Sequence, residues 1–132
     1  MSQENIAIIN RIYEAFGNRD FAAALNLFGA TIEWVSAVNS PLADRSPYRG
    51  PDEVREGVFM RIAAGFDRLT VKVDEMFGAD DKVVALGFYD GVYNANGRRF
   101  QAQVAHIWTL ADGKAVKFQQ YVDTYQLAES FK

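Results

Sequence analysis

After Leu69 the hydrophobic pattern changes from a helical period to a strand period and keeps it almost to the end of the chain. Three turn signals divide this stretch. Ala79-Asp80-Asp81 separates a strand over 69–77 from one over 82–93. Asn94-Ala95-Asn96-Gly97 is a hairpin signal before a third strand over 98–110, and Asp112-Gly113 precedes a last one over 115–125. Long strands joined by tight turns form an antiparallel meander, because only antiparallel neighbours can be linked so briefly. Such a sheet must cover at least one face, so the residues before it have to supply the cover.

They carry helical signals. Ile6, Ile9, Tyr13 and Phe16 recur at spacings of three and four and make one apolar stripe, with Ser2 placed to cap it and Gly17 placed to end it. Asp20 is placed to cap a second short helix with Ala24, Leu25, Leu27 and Phe28 as its apolar residues, stopped by Gly29. Residues 31–35 are β-branched and aromatic and read as a strand. Residues 36–49 are polar and broken by Pro41 and Pro47, an irregular loop long enough to act as a lid. Gly50-Pro51-Asp52-Glu53 opens a third helix, with proline and the two acids where a helix start favours them, and Val54, Val58, Ile62 and Phe66 on its buried side. Three helices followed by a meander is an α+β arrangement, expected as a single domain over 1–132.

Alternation sorts the strand residues onto faces. Val104, His106 and Trp108 share one side of the third long strand, and Ala105, Ile107 and Thr109 the other. Phe118, Gln120 and Val122 oppose Lys117, Gln119, Tyr121 and Asp123 in the last strand, and Ala85, Gly87, Tyr89 and Gly91 oppose Val84, Leu86, Phe88 and Val92 in the second. Both faces are apolar. One is expected to cover the helices and a pocket, the other to pair with a second copy, since a broad apolar patch seldom stays bare. Gly87 and Gly91 either bend the sheet or clear room for a ligand.

Composition narrows the functions. Aromatic residues make up 14% of the chain, more than a minimal core requires, which suits a bulky core or an aromatic-lined cavity. The net charge is −3 and the basic residues are scattered, which argues against nucleic-acid binding. There is no cysteine and one histidine, so thiolate chemistry, disulfides and a multi-histidine metal site are excluded. No signal peptide or membrane-spanning run is visible, and the expectation is a cytoplasmic protein.

Three segments, IINRIYEAFGNRDFAAALNLFGATIEW, YRGPDEVREGVF and RRFQAQVAHIWTLADGKAVKFQQYVDTYQL, together resemble the SnoaL-like branch of the nuclear transport factor two-like superfamily across nearly the whole chain. The resemblance implies a cone: a curved antiparallel sheet packed on three N-terminal helices, with an internal pocket, in a family whose members often dimerise through the sheet. It also locates departures. Where the ketosteroid isomerases keep a catalytic base this chain has Trp34, their helix tyrosine falls on Ile12 beside Tyr13, and their oxyanion acid falls on His106. Against the SnoaL-type cyclases His106 matches, but the acid/base aspartate falls on Gln120 and two supporting polar residues fall on Trp34 and Val104. The Asp-Arg-Asp set of limonene epoxide hydrolase and the second histidine of scytalone dehydratase have no counterpart.

The expected function is binding of a small, largely apolar organic ligand in the cone cavity, with cofactor-independent isomerase, cyclase or hydrolase-type acid/base chemistry at His106 if the protein is an enzyme. His106 would be the proton-transfer group or hydrogen-bond anchor, Tyr89 and Gln120 would orient the ligand, and Trp34, Val104, Trp108 and Phe118 would line the wall. No metal and no cofactor are expected. The alternative is a carrier, sensor or dimeric assembly module whose cavity is filled, with Trp34 as stacking platform in the first case and plug in the second. Asp123, by parity, is expected to be structural, and Glu33 to face outward.

Overall fold

The computed structural model describes residues 2–130. Helix α1 (Ser2–Gly17) and the short α2 (Phe21–Leu25) lead into β1 (Phe28–Val35). A loop then returns through β2 (Tyr48–Arg49) to α3 (Gly50–Val54), which runs through a π-helical turn at Arg55–Phe59 into α4 (Met60–Gly65). The meander follows as β3 (Phe66–Ala79), β4 (Lys82–Tyr93), β5 (Arg98–Ala111) and β6 (Lys114–Val122), and α5 (Thr124–Ser130) ends the described chain. All six strands form one sheet in the order β2-β1-β6-β5-β4-β3. The meander is antiparallel as its turns require, whereas β1 joins β6 in parallel.

The boundaries depart from the sequence reading in four places. Leu27 and Phe28 do not extend the second helix: α2 ends at Leu25, and Phe28 pairs with Ala115, so Gly29 lies inside β1 rather than stopping a helix. The loop ends two residues early because Tyr48 and Arg49 pair with Trp34 and Glu33. Phe66 leaves the third helix and opens β3 opposite Tyr93. The last strand stops at Val122, where the Asp123 carboxylate accepts from the Gln126 amide at 3.2 Å and starts α5. Asp123 is therefore a helix-starting residue. Asp20 caps α2 as expected, accepting from the Ala23 amide. The cap expected of Ser2 concerns a side chain outside the described residues.

Strand registers bring the inner-face residues into rows. His106 stands opposite Ala85 on β4 and Gln120 on β6. One pair along, Trp108 stands opposite Phe118, which stands opposite Trp34 on β1. Helices α1, α3 and α4 and the π turn between the last two cover this face with Ile9, Ile12, Val54, Val58, Phe59 and Ile62. Phe59, at the end of the π turn, sits among four aromatic neighbours: Phe16, Phe21, Phe28 and Trp34.

The sheet curves where β3 crowds β4. A side-chain carbon at Gly87 would fall inside the envelope of the Lys72 carbonyl oxygen, and one at Gly91 would meet the Phe100 ring at 2.7 Å. The register of β3 shifts beside Gly87, between Val73 and Glu75. The room left by both glycines is therefore taken by the protein itself and serves curvature. Gly87→Ala is expected to lose about 1–3 kcal/mol, because the obstacle is backbone and cannot rotate away. A urea midpoint equal to wild type would contradict this.

Candidate functional site

A cavity of about 70 Å³ lies between the inner face of the sheet and its cover. Ile12 and Phe16 of α1, Val58 and Ile62 of the bent helix and Leu69 and Val71 of β3 make its apolar sides. Ser36, Ser40, Pro41 and Leu42 border it from the 36–47 loop, and Leu127 of α5 borders it from the far end of the chain. The loop is held down at several points. The Tyr48 hydroxyl donates to the Leu42 carbonyl at 2.6 Å, Arg61 pairs with Asp44 at 2.7 Å, and the Ser36 amide donates to Ser46 Oγ at 3.0 Å. The Arg61 guanidinium holds the Asp44 carboxyl below its usual range.

One end of the cavity is polar, and its groups are wired together. His106 is 2% exposed. The Tyr13 hydroxyl lies 2.6 Å from its Nδ1 and the Tyr89 hydroxyl 2.9 Å from its Nε2. Trp108 Nε1 donates to the Tyr13 oxygen at 2.9 Å, and Gln120 Nε2 donates to the Tyr89 oxygen at 2.6 Å. The Ala37 amide donates to Gln120 Oε1 at 3.0 Å, which fixes which end of that amide faces Tyr89. No buried side-chain nitrogen or oxygen among the described residues is left without a partner.

Burial dominates the electrostatics. Among the described residues, no Asp, Glu, Lys or Arg borders the cavity. With no counter-charge beside it, burial pushes the His106 imidazole down to about 3, so the ring is neutral. Burial pushes the Tyr13 and Tyr89 hydroxyls well above their ordinary range, although Trp108 and Gln120 pull each the other way. Both tyrosines keep their protons at any physiological pH.

His106, Tyr89 and Gln120 thus come together at the polar end, and Trp34, Trp108 and Phe118 border the cavity beside them. Trp34 stacks on Phe118 with ring centres 3.9 Å apart and meets Trp108 edge-on at 5.9 Å. It fills part of the cone and still presents a surface to the cavity. Val104 is buried on the same face, opposite Gly87 and Val122, but does not border the cavity. Tyr13 was read as one member of the stripe on α1. Its position next to Ile12, where the resemblance places a tyrosine, is the signal that could have found it. Leu127 had no such signal, because it lies beyond the last strand of the sequence reading, where no helix is marked.

A curved sheet closed into a cone by N-terminal helices, with an enclosed site inside, defines the NTF2-like class. Solved structures agree. An NTF2-like protein from Burkholderia thailandensis is 34% identical, with a TM-score of 0.89 and 97% of each chain covered. An NTF2-like protein of unknown function from Burkholderia pseudomallei is 26% identical, with a TM-score of 0.85 over 96% of this chain and 95% of that one. TerC, co-crystallised with polyporic acid, shares the fold at 23% identity, with a TM-score of 0.84 and 96% of each chain covered. No curated protein matches by sequence. Residues 9–118 match the SnoaL-like domain, and the chain belongs to that family. Among the described residues, no helix is long and apolar enough to cross a membrane.

Proposed function

We propose that this protein binds a small, largely apolar organic molecule in the cone cavity, anchored at the polar end by the Tyr13–His106–Tyr89–Gln120 cluster. The observation that carries this reading is a largely apolar cavity with a cluster of hydrogen-bonding groups at one end and Ser36 and Ser40 on its loop side, the usual make-up of a small-ligand site. The co-crystallisation of TerC with polyporic acid supports use of the same fold for organic ligands. At about 70 Å³ the space is well below the roughly 300–1,000 Å³ of drug-sized sites, so the ligand is compact or the lid loop moves to admit it.

The test is a thermal-shift screen of wild type and His106→Ala against compact terpenoid, aromatic and cyclic ketone compounds. A ligand at about one hundred times its dissociation constant adds roughly 2.7 kcal/mol, a rise of roughly 5–15 °C for a domain of this size. The expected result is a hit in wild type that is lost in His106→Ala. Equal shifts in both proteins would remove His106 from the site.

A second reading, a carrier or sensor without turnover, is favoured because proton abstraction needs a base: among the described residues no carboxylate borders the cavity, and burial holds the His106 imidazole well below its ordinary range. In the catalytic reading His106 meets the ligand only through a tyrosine hydroxyl, and it acts by passing protons between the two. Product formation from a bound hit separates the readings. The outer face carries Phe77, Phe88 and Tyr121 at 46%, 38% and 55% exposure, with Leu86 and Ile107 partly covered between them. This face is proposed to pair with a second copy. Sedimentation should give a dimer for wild type and a monomer for Phe88→Glu.

A further inference from the structure

The hydrogen bonds around His106 do not use every proton they hold. Two contacts join the imidazole to Tyr13 and Tyr89. A neutral imidazole brings one N–H and each tyrosine one O–H, so three protons serve two contacts. The outer partners cannot absorb the third. Trp108 Nε1 is only a donor, and Gln120 presents its NH₂ because the Ala37 amide occupies its oxygen.

Two arrangements satisfy the geometry. With the proton on Nδ1, the ring donates to Tyr13, Tyr89 donates to Nε2, and the Tyr13 proton is left over. With the proton on Nε2, the ring donates to Tyr89, Tyr13 donates to Nδ1, and the Tyr89 proton is left over. In either case the tyrosine with the spare proton already accepts two hydrogen bonds, so it can only donate. Among the described residues neither hydroxyl has a further acceptor. Both tyrosines border the cavity.

We infer that His106 is a tautomeric switch that presents one free hydroxyl proton, on Tyr13 or on Tyr89, to a neutral ligand carrying a carbonyl or ether oxygen. This rests on the reading of the cavity as a ligand site and narrows it. An acceptor is required because the free group is a donor. Neutrality is required because, among the described residues, no charged side chain borders the cavity to offset a buried ion. His106 is thus a positioning residue, and the ligand oxygen selects the tautomer by where it sits.

The switch has a consequence that a fixed donor lacks. Removing one tyrosine hydroxyl leaves the other able to take over, with the imidazole proton driven to a defined nitrogen. The experiment uses protein labelled with ¹⁵N-histidine, whose only signals come from His106, with cyclohexanone as probe and methylcyclohexane as control. In wild type, cyclohexanone is expected to shift the Nδ1 and Nε2 resonances toward one tautomer, and methylcyclohexane to leave them in place. In Tyr13→Phe the bound ketone should put the proton on Nε2, and in Tyr89→Phe on Nδ1. Each single variant should hold the ketone within about threefold of wild type. The double variant should lose roughly tenfold, the share of one hydrogen bond, with methylcyclohexane affinity unchanged.

The same tautomer in both single variants, or one variant losing all of the ketone effect while the other loses none, would overturn the switch. Wild-type resonances that ignore cyclohexanone would do the same without any variant. If methylcyclohexane binds but ketone affinity survives in the double variant, the switch fails and the ligand site stands. If neither probe binds wild type, both fail together.

Discussion

Lowering the pH from 7 to 4 is expected to destabilise the wild-type protein by on the order of 3 kcal/mol more than it destabilises His106→Gln. In the unfolded chain this histidine takes up a proton near 6.5, whereas in the folded protein it does so only near 3. Between those values the unfolded state holds more protons, so stability is lost as the pH is lowered through that window and is flat above it. Because His106 is the only histidine, the variant removes this contribution and no other histidine's. Asp44 and Asp90, held down chiefly by Arg61 and Arg99, also weaken in acid, but they do so equally in both proteins. Urea unfolding at several pH values supplies the measurement. Parallel curves for the two proteins would mean that His106 is solvated or paired with a negative charge in solution.

Trp108→Ala is expected to lose about 3–5 kcal/mol, the range for removing a large aromatic from a core. Trp108 is 1% exposed and packs against Phe118 at 4.5 Å, Trp34 at 5.9 Å and Phe28 at 6.2 Å. Its indole nitrogen also supplies the hydrogen bond on the Tyr13 oxygen, and that donor disappears with it. Trp108→Phe keeps most of the packing and removes the donor, so it should cost less than half as much. The urea midpoint should fall while its slope holds, provided the variant stays compact. A loss below about 1 kcal/mol for Trp108→Ala would show that the cone relaxes into the space.

Much of the architecture was legible because it rests on local rules. Turn residues marked all three hairpin connections, and alternation placed Tyr89, His106, Trp108, Phe118 and Gln120 on the inner face. The misread boundaries lie where a distant partner outweighs local pattern. Leu27 and Phe28 continue an apolar helical run, but the Ala115 amide donates to the Leu27 carbonyl and draws the chain into β1. Thr124 and Tyr125 read as the end of the last strand, yet the Asp123 carboxylate starts a helix there whose Leu127 closes the cavity.

By itself the sequence determined the run of helices before the meander, the faces of the last three strands, and the cysteine and multi-histidine chemistry this chain lacks, since composition and periodicity depend on no distant contact. Only the tertiary structure decided what surrounds the single histidine. Tyr13 stands 93 residues from His106 in the chain and 2.6 Å from it in space. That approach converts a lone imidazole into the neutral centre of a hydrogen-bond network. No local pattern encodes it, because it arises from how α1 crosses the sheet and from the low dielectric of the cone it closes.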